Sequence, residues 1–163
     1  MTCKCYICNE FKIKQMKITN ELVEKLNSLL ATYQIHYQNL RGLHWNIKGE
    51  NFFELHVKYE ELYTRTQIII DEIAERILSI EAQPLHTYAS YLEKSALKEI
   101  TTISDGKGGV SYIVEAQQKL LSLERELLHL SDDLNDEGTN AMMSDLISEK
   151  EKTTWMFKSW LNK

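Results

Sequence analysis

Apolar residues recur every three or four positions over most of the chain, which is the spacing of one face of an α-helix. The first such segment extends from about residue 18 to residue 46, and the second covers residues 52–80. Two more follow, at about residues 110–134 and 140–161. The pattern therefore predicts four long helices.

The connections predict how these helices are arranged. The first and third links are short, and short links make neighbouring helices antiparallel, whereas the long connection of residues 81–108 can cross the whole bundle. It contains the only proline, a segment that can form a short helix (YASYLEKS) and a predicted loop with three glycines (SDGKGG). The sequence thus predicts an all-α, ferritin-like four-helix bundle in residues 18–163, with a long crossover that contains a short helix. Residues 1–17 form a separate tail in this prediction.

Composition and charge narrow the class of protein. The 163 residues, of which 43% are hydrophobic and 26% charged, fit one ordinary globular domain. A net charge of −5 gives the body no general attraction for nucleic acid or anionic membranes. No apolar run approaches the roughly 18 residues of a membrane helix, and residues 1–17 lack the apolar core of an export signal. We therefore expect a cytoplasmic protein.

Two histidines and two carboxylates are the main candidate site. His44 and His56 lie twelve residues apart, and Asp71 follows His56 by fifteen, with Glu75 four residues later. Because a helix rises about 1.5 Å per residue, His56 and Asp71 are roughly 22 Å apart along the second helix, whereas metal–ligand bonds are about 2 Å long. One chain therefore cannot bring both pairs to one ion. Either these are separate half-sites, or two chains pair antiparallel about a two-fold axis and complete each other's sites.

Imidazole and carboxylate groups suit iron, zinc or manganese. Asp71 and Glu75 are four residues apart and share a helix face, and so do His56 and Glu60. The simpler alternative is that the carboxylates form a solvated helix face and that the histidines lie at helix ends without a ligand. A di-iron site inside one bundle would need two Glu-x-x-His motifs on different helices, and the chain contains one, ELLH.

The stretch NLRGLHWNIKGENFFELHVKYEELY, followed by IDEIAERI, resembles the Dps family of mini-ferritins, which is named for DNA binding in starved cells. The resemblance extends over about residues 16–163. It implies a homo-dodecameric hollow shell in which iron(II) is oxidised between two-fold-related chains, typically by hydrogen peroxide rather than dioxygen, and is stored as ferric mineral. By position, His44 and His56 would bind iron from one chain, and Asp71 and Glu75 from the other. Zinc or another divalent ion could take the place of iron.

The resemblance also implies roles for neighbouring residues. Trp45, beside the site, would donate electrons. Glu60 stands where many family members have aspartate, so its longer side chain could move the second iron position. Iron would enter through three-fold pores near the turn before the last helix, where Asp136 and Asp145 are the candidates. Glu137 in the same turn equally suits the N-terminus of the last helix.

The N-terminal tail suggests an alternative function. Residues 1–17 contain four lysines and one glutamate, a charge of +3, which leaves −8 for the rest of the chain. The lysines are Lys4, Lys12, Lys14 and Lys17. Twelve such tails could bind DNA phosphates multivalently, which is the property of a nucleoid-associated DNA-compacting protein with secondary iron chemistry. A third hypothesis is a protective shell with a degenerate iron site.

The tail also contains all three cysteines, Cys3, Cys5 and Cys8. Three thiols are one short of a closed zinc site, so a soft-metal or redox role would need a further ligand or a second chain's tail. The simpler expectation is a disordered tail, or translation that begins at Met16, where the family-like sequence starts.

Overall fold

Five α-helices form the fold in the computed structural model, which describes the backbone of residues 3–162 and the side chains of residues 20–162. In chain order they are α1 (Cys3–Asn46), α2 (Phe52–Ser79), α3 (Tyr88–Lys94), α4 (Gly106–Asp133) and α5 (Glu137–Trp160). Residues 3–162 contain no strand. The predicted all-α class, the four long helices and the short helix in the long connection are confirmed.

Helix α1 begins earlier than the apolar pattern indicated. It starts at Cys3 rather than near residue 18, because neither glycine nor proline interrupts residues 3–17. The side chains of the three cysteines and four tail lysines lie outside the described residues, and so does the question of a start at Met16. The division into a tail of residues 1–17 and a bundle domain of residues 18–163 stays a prediction.

Helix α4 begins within the glycine-rich segment that was predicted to be a loop. Asp105 caps the helix by accepting a hydrogen bond from the N–H of Gly108 at 2.7 Å. Gly109 is then required by packing, since an added Cβ would lie 2.5 Å from the hydroxyl oxygen of Tyr59 on α2. The glycines therefore serve close helix contact here, which the sequence pattern alone did not separate from a loop.

The long connection between α2 and α4 lies along the C-terminal half of α1. Its backbone N–H groups bond to α1 side chains in register, and the order of these contacts gives its direction: Leu85 to Asn27 at 2.7 Å, Ala96 to Thr32 at 3.0 Å and Ile100 to Asn39 at 3.2 Å. Later, the N–H of Lys48 donates to the carbonyl of Ser104 at 2.9 Å. The connection therefore returns the chain to the end of the bundle where α2 began, so α2 and α4 run parallel, as predicted.

The helices bury two apolar clusters between them, one around Leu26 and Ile73 and the other around Leu55 and Ile113. Helix α1 packs against α2, α3 and α4, and α5 packs against α4. Leu26, Leu29, Ile73, Ile113 and Leu120 are among the fully buried side chains. Within the described residues, no helix has both the length and the apolar character that crossing a membrane requires.

A buried charged cluster interrupts this apolar interior. The hydroxyl of Tyr33 donates to Glu124 at 2.5 Å, and the ammonium group of Lys150 lies 3.5 Å from the same carboxylate. Lys150 also lies 4.9 Å from the centre of the Tyr33 ring. Burial raises the pKa of Glu124 although Lys150 acts against the rise, and burial lowers the pKa of Lys150 although Glu124 opposes it. Burial therefore disfavours the charged form of both side chains, and each charge is stabilised by the opposite charge of its partner.

Removing one member of this pair should destabilise the bundle more than removing the charge of both. We expect K150M to lower the free energy of unfolding by about 3–5 kcal/mol, because it leaves the Glu124 carboxylate buried without its counter-ion. The double variant E124Q/K150M keeps an acceptor for Tyr33 and should recover most of that loss. Denaturant unfolding at one fixed protein concentration measures both. Equal losses in the single and double variants would show that the two charges are not coupled.

Candidate metal centre

The two histidines meet where α1 ends and α2 begins. His44 is in the last turn of α1, and His56 is in the second turn of α2. Gly49, with φ +96°, lies in the short link between them, in a region of backbone conformation that side chains disfavour. The two imidazole rings stack with their centroids 3.8 Å apart and an interplanar angle of 24°.

Each histidine is held by the backbone of the other. Nδ1 of His44 lies 2.8 Å from the carbonyl oxygen of His56, and Nδ1 of His56 lies 3.0 Å from the carbonyl oxygen of His44. A carbonyl oxygen only accepts, so both Nδ1 atoms must carry the proton and donate. In the neutral rings this leaves the lone pair of both Nε2 atoms free to bind a metal. Backbone carbonyls orient metal-binding histidines in proteins in this way.

Local structure explains why one of these carbonyls is available. In a continuing helix, the carbonyl of His44 would accept from the N–H of Lys48. That N–H instead donates to Ser104, because α1 ends at Asn46 and the crossover joins here. The end of the helix thus provides the acceptor that fixes the ring of His56.

Tyr63 adds a contact that sequence reasoning missed. Its ring meets that of His44 edge to face, with centroids 5.4 Å apart. The pKa of its hydroxyl is raised, first by removal from water and then by the neighbouring carboxylate of Glu60. Glu60, one turn after His56 on α2, therefore lies near Tyr63, and its role as a metal ligand stays a prediction. The spacing of three residues on α2 was the available signal.

Trp45 is exposed over 58% of its surface and lies against a cation. The guanidinium carbon of Arg41 is 4.7 Å from the centre of the indole ring and 5.3 Å from that of Tyr37. The three residues are spaced four apart on α1, so they form one row on its surface. Sequence reasoning identified Trp45 but not the cation that lies over it.

The carboxylate pair occupies the other half of α2. Asp71 and Glu75 are both exposed, on the face that also carries Val57, Thr64 and Ile68. Within the described residues, no group of three or more His, Cys, Asp or Glu side chains is close enough to hold a metal ion. The structure therefore brings His44 and His56 together, and it groups neither Glu60 nor the pair Asp71 and Glu75 with them.

The two predicted pore residues differ in their surroundings. Asp145 is exposed on α5. Asp136 caps α5, where its carboxylate accepts from the N–H of Thr139 at 3.1 Å and from its hydroxyl at 2.6 Å. It also forms an ion pair with Arg76 of α2. The cap and the ion pair already occupy the Asp136 carboxylate, so its pore role stays a prediction that competes with a structural one.

Comparisons with known proteins address the resemblance directly. A model of the ferritin-like domain matches residues 23–163. DNA protection during starvation protein 2 of Bacillus anthracis is 34% identical over 145 residues, which cover 89% of this chain and 99% of that protein. The chain belongs to the Dps family. Its ferritin-like bundle, predicted from the helix connections, is confirmed by the same match.

Solved Dps structures share this fold. A Dps protein from Vibrio cholerae O1, described as a member of the ferritin-like diiron-carboxylate superfamily, has 47% identity and a TM-score of 0.87, over 89% of this chain and 91% of that one. Dps from Listeria innocua, solved after soaking in zinc, has 30% identity and a TM-score of 0.84, over 87% and 97% of the two chains. The descriptions of both relatives therefore name a metal, iron in the first and zinc in the second.

Proposed function

We propose that this Dps protein oxidises iron(II) at sites shared by two subunits and stores the ferric product inside a shell of twelve. The observation that carries the proposal is the histidine pair. Reciprocal bonds to backbone carbonyls hold both rings with Nε2 free, while the carboxylates on the same helix are roughly 22 Å away. In this proposal, a second chain is needed to complete each half of the ligand set.

The exposed face of α2 supports antiparallel pairing. Thr64 lies about halfway between His56 and the carboxylate pair, so a two-fold axis near it would bring the histidines of each chain to the other's Asp71 and Glu75. Val57 and Ile68, which flank this point, are apolar and are exposed over 52% and 50% of their surfaces. Apolar rows on a surface helix mark interaction sites. Two-fold symmetry gives two iron sites for each pair of chains.

Two imidazoles and two carboxylates would bind iron(II) and leave coordination positions open for an oxidant. Hydrogen peroxide takes one electron from each of two iron(II) ions and two protons, and is reduced to two molecules of water. The negative carboxylates stabilise the more highly charged iron(III) product. Zinc would occupy the same ligands without giving an electron, so it should inhibit the reaction.

Three neighbours would tune the reaction. Glu60 would bind a second iron ion, beside the hydroxyl of Tyr63 whose pKa its carboxylate raises. Trp45 would donate an electron when a single iron ion is present, but the cation over its ring opposes loss of an electron from the indole. Asp145 would attract iron(II) to the three-fold pores.

Loss of either half of the ligand set should slow peroxide-driven iron oxidation. We expect H44A, H56A and the double variant D71A/E75A to lower the initial rate at least about tenfold, since even groups that only orient metal ligands are worth 10–100-fold. H129A and E115A, at exposed positions of α4, are matched controls and should stay within about twofold of the parent protein. Absorbance of the ferric product after mixing with peroxide measures the rate.

The D71A/E75A variant gives the most direct test of the proposed inter-chain site. A D71A/E75A protein that assembles normally and oxidises iron at the parental rate would exclude this site. If neither the parent protein nor its variants oxidised iron, the hypothesis of a shell with a degenerate site would replace this one.

DNA binding in the nucleoid of the cytoplasm is the second candidate function. The printed name of the Bacillus anthracis relative, DNA protection during starvation protein 2, favours it. The charge of +3 in residues 1–17 favours it too, whereas the remainder of the chain, at −8, would repel phosphate. Binding would therefore depend on the tails.

Neutralising the tail should abolish DNA binding. We expect the parent protein to retard duplex DNA at low salt, with an affinity that falls steeply as salt rises because lysines displace counterions from phosphates. The variant K4Q/K12Q/K14Q/K17Q keeps the chain length and should lose this retardation at every salt concentration. Retention of the parental affinity by the variant would assign DNA binding to another surface.

A further inference from the structure

Arg76 follows the carboxylate Glu75 on α2 but lies on a different side of the helix. Consecutive residues on a helix point about 100° apart. Glu75 is exposed, whereas the side chain of Arg76 is only 22% exposed and that of its partner Asp136 only 16%. Glu75 thus points toward solvent, whereas the next residue, Arg76, lies between α2 and α5.

The guanidinium group of Arg76 has three polar partners. It forms an ion pair with Asp136, its Nε donates to the hydroxyl of Thr139 at 2.9 Å, and an Nη donates to Ser79 at 3.3 Å. It also lies flat against Gly138, where an added Cβ would be only 2.8–3.0 Å from three guanidinium atoms. A group that is fixed by so many contacts holds the backbone that carries it.

Among the described bonds between α2 and α5, this cluster lies nearest the C-terminal end of α2, whereas the bonds of Arg65 to Glu149 and of Trp160 to Glu54 join the same helices farther from that end. Helix α2 packs mainly against α1, and α5 packs mainly against α4. Near the C-terminal end of α2, Arg76 bonds to Asp136 and Thr139 and so connects this helix end to the start of α5. Asp71 and Glu75 lie in the same last turns of α2, so the position of this helix end decides where their carboxylates are.

We propose that Arg76 is a positioning residue: anchored by Asp136 and the first turn of α5, it holds the end of α2 so that Asp71 and Glu75 meet the histidines of a second subunit. The inference rests on the proposed iron site and deepens it. In this account, Asp136 serves as the counter-ion of Arg76 and the cap of α5, and it does not conduct cations.

The two roles of Asp136 predict opposite effects of losing Arg76. If Asp136 conducts iron(II), R76Q frees its carboxylate and speeds iron uptake, whereas D136N slows it. If Arg76 and Asp136 hold the helix end, both variants weaken metal binding. Asparagine still caps a helix, so D136N removes the ion pair and leaves α5 intact.

A third variant tests whether the position of the Arg76 side chain matters when no charge is removed and the helix is not weakened. G138A keeps every charge and hydrogen-bonding group, but its new methyl group would displace the guanidinium of Arg76. Alanine also favours a helix more than glycine does. R125Q removes another arginine that pairs with a glutamate, Glu151, on exposed surface, and is the matched control.

Zinc binding, measured by calorimetry on the assembled protein, and the kcat and KM of iron oxidation are the readouts. We expect the zinc dissociation constant and the KM for iron(II) to rise about tenfold in R76Q, D136N and G138A, as for other groups that orient metal ligands. The kcat at saturating iron should stay within about twofold, R76K should be intermediate, and R125Q should match the parent.

Two results would overturn the inference. Faster iron oxidation in R76Q together with slower oxidation in D136N would make Asp136 a cation conduit. Parental zinc binding and KM in G138A and R76Q would show that the cluster only stabilises the fold. The proposed function fails separately, if H44A does not reduce zinc binding, and that failure would remove the basis of this inference as well.

Discussion

The pair of hydrogen bonds between two imidazoles and each other's backbone carbonyls is the constraint on which the site depends. It joins the end of α1 to the start of α2, and it exists because α1 stops at Asn46 and leaves the carbonyl of His44 without its helical partner. The same bonds set the tautomer of both neutral rings, so one local feature fixes both the orientation of the histidine pair and the nitrogens that are free to bind. The crossover contributes as well, since Ser104 accepts the N–H of Lys48 that would otherwise compete.

Helix length supplies the second constraint. A straight helix cannot bend its carboxylates back to its own histidines, and the roughly 22 Å between them exceeds the reach of any side chain. In a single chain this arrangement would be two incomplete groups of ligands. In the proposed function, two chains would complete a symmetric pair of sites, and iron oxidation would be conditional on assembly. The proposed anchoring of α2 by Arg76 would then matter for activity, because an error in the position of a helix end would displace ligands of the partner's site.

Much of this was accessible from the sequence, and the exceptions have physical causes. The helices follow from apolar spacing. The meeting of His44 and His56 agrees with their sequence spacing across a short link, whereas the ligand roles of both pairs stay predictions. The start of α4 was missed because three glycines look like a loop unless the close approach of Tyr59 is known. The ion pair of Asp136 is with Arg76, sixty residues earlier in the chain, and no local pattern indicates that contact. The engagement of Glu60 with Tyr63 and of Trp45 with Arg41 depends on side-chain conformation, which spacing permits but does not determine.

Mixing two inactive variants tests the central claim most directly. H44A/H56A lacks one half of each site, and D71A/E75A lacks the other half. When both are dissociated together and reassembled, about half of the pairs should be mixed, and symmetry gives each mixed pair one intact site and one doubly defective site. The account predicts that the mixture recovers about a quarter of the parental rate of iron oxidation, while each variant reassembled alone stays inactive. A mixture as inactive as its components would contradict a site built from two chains.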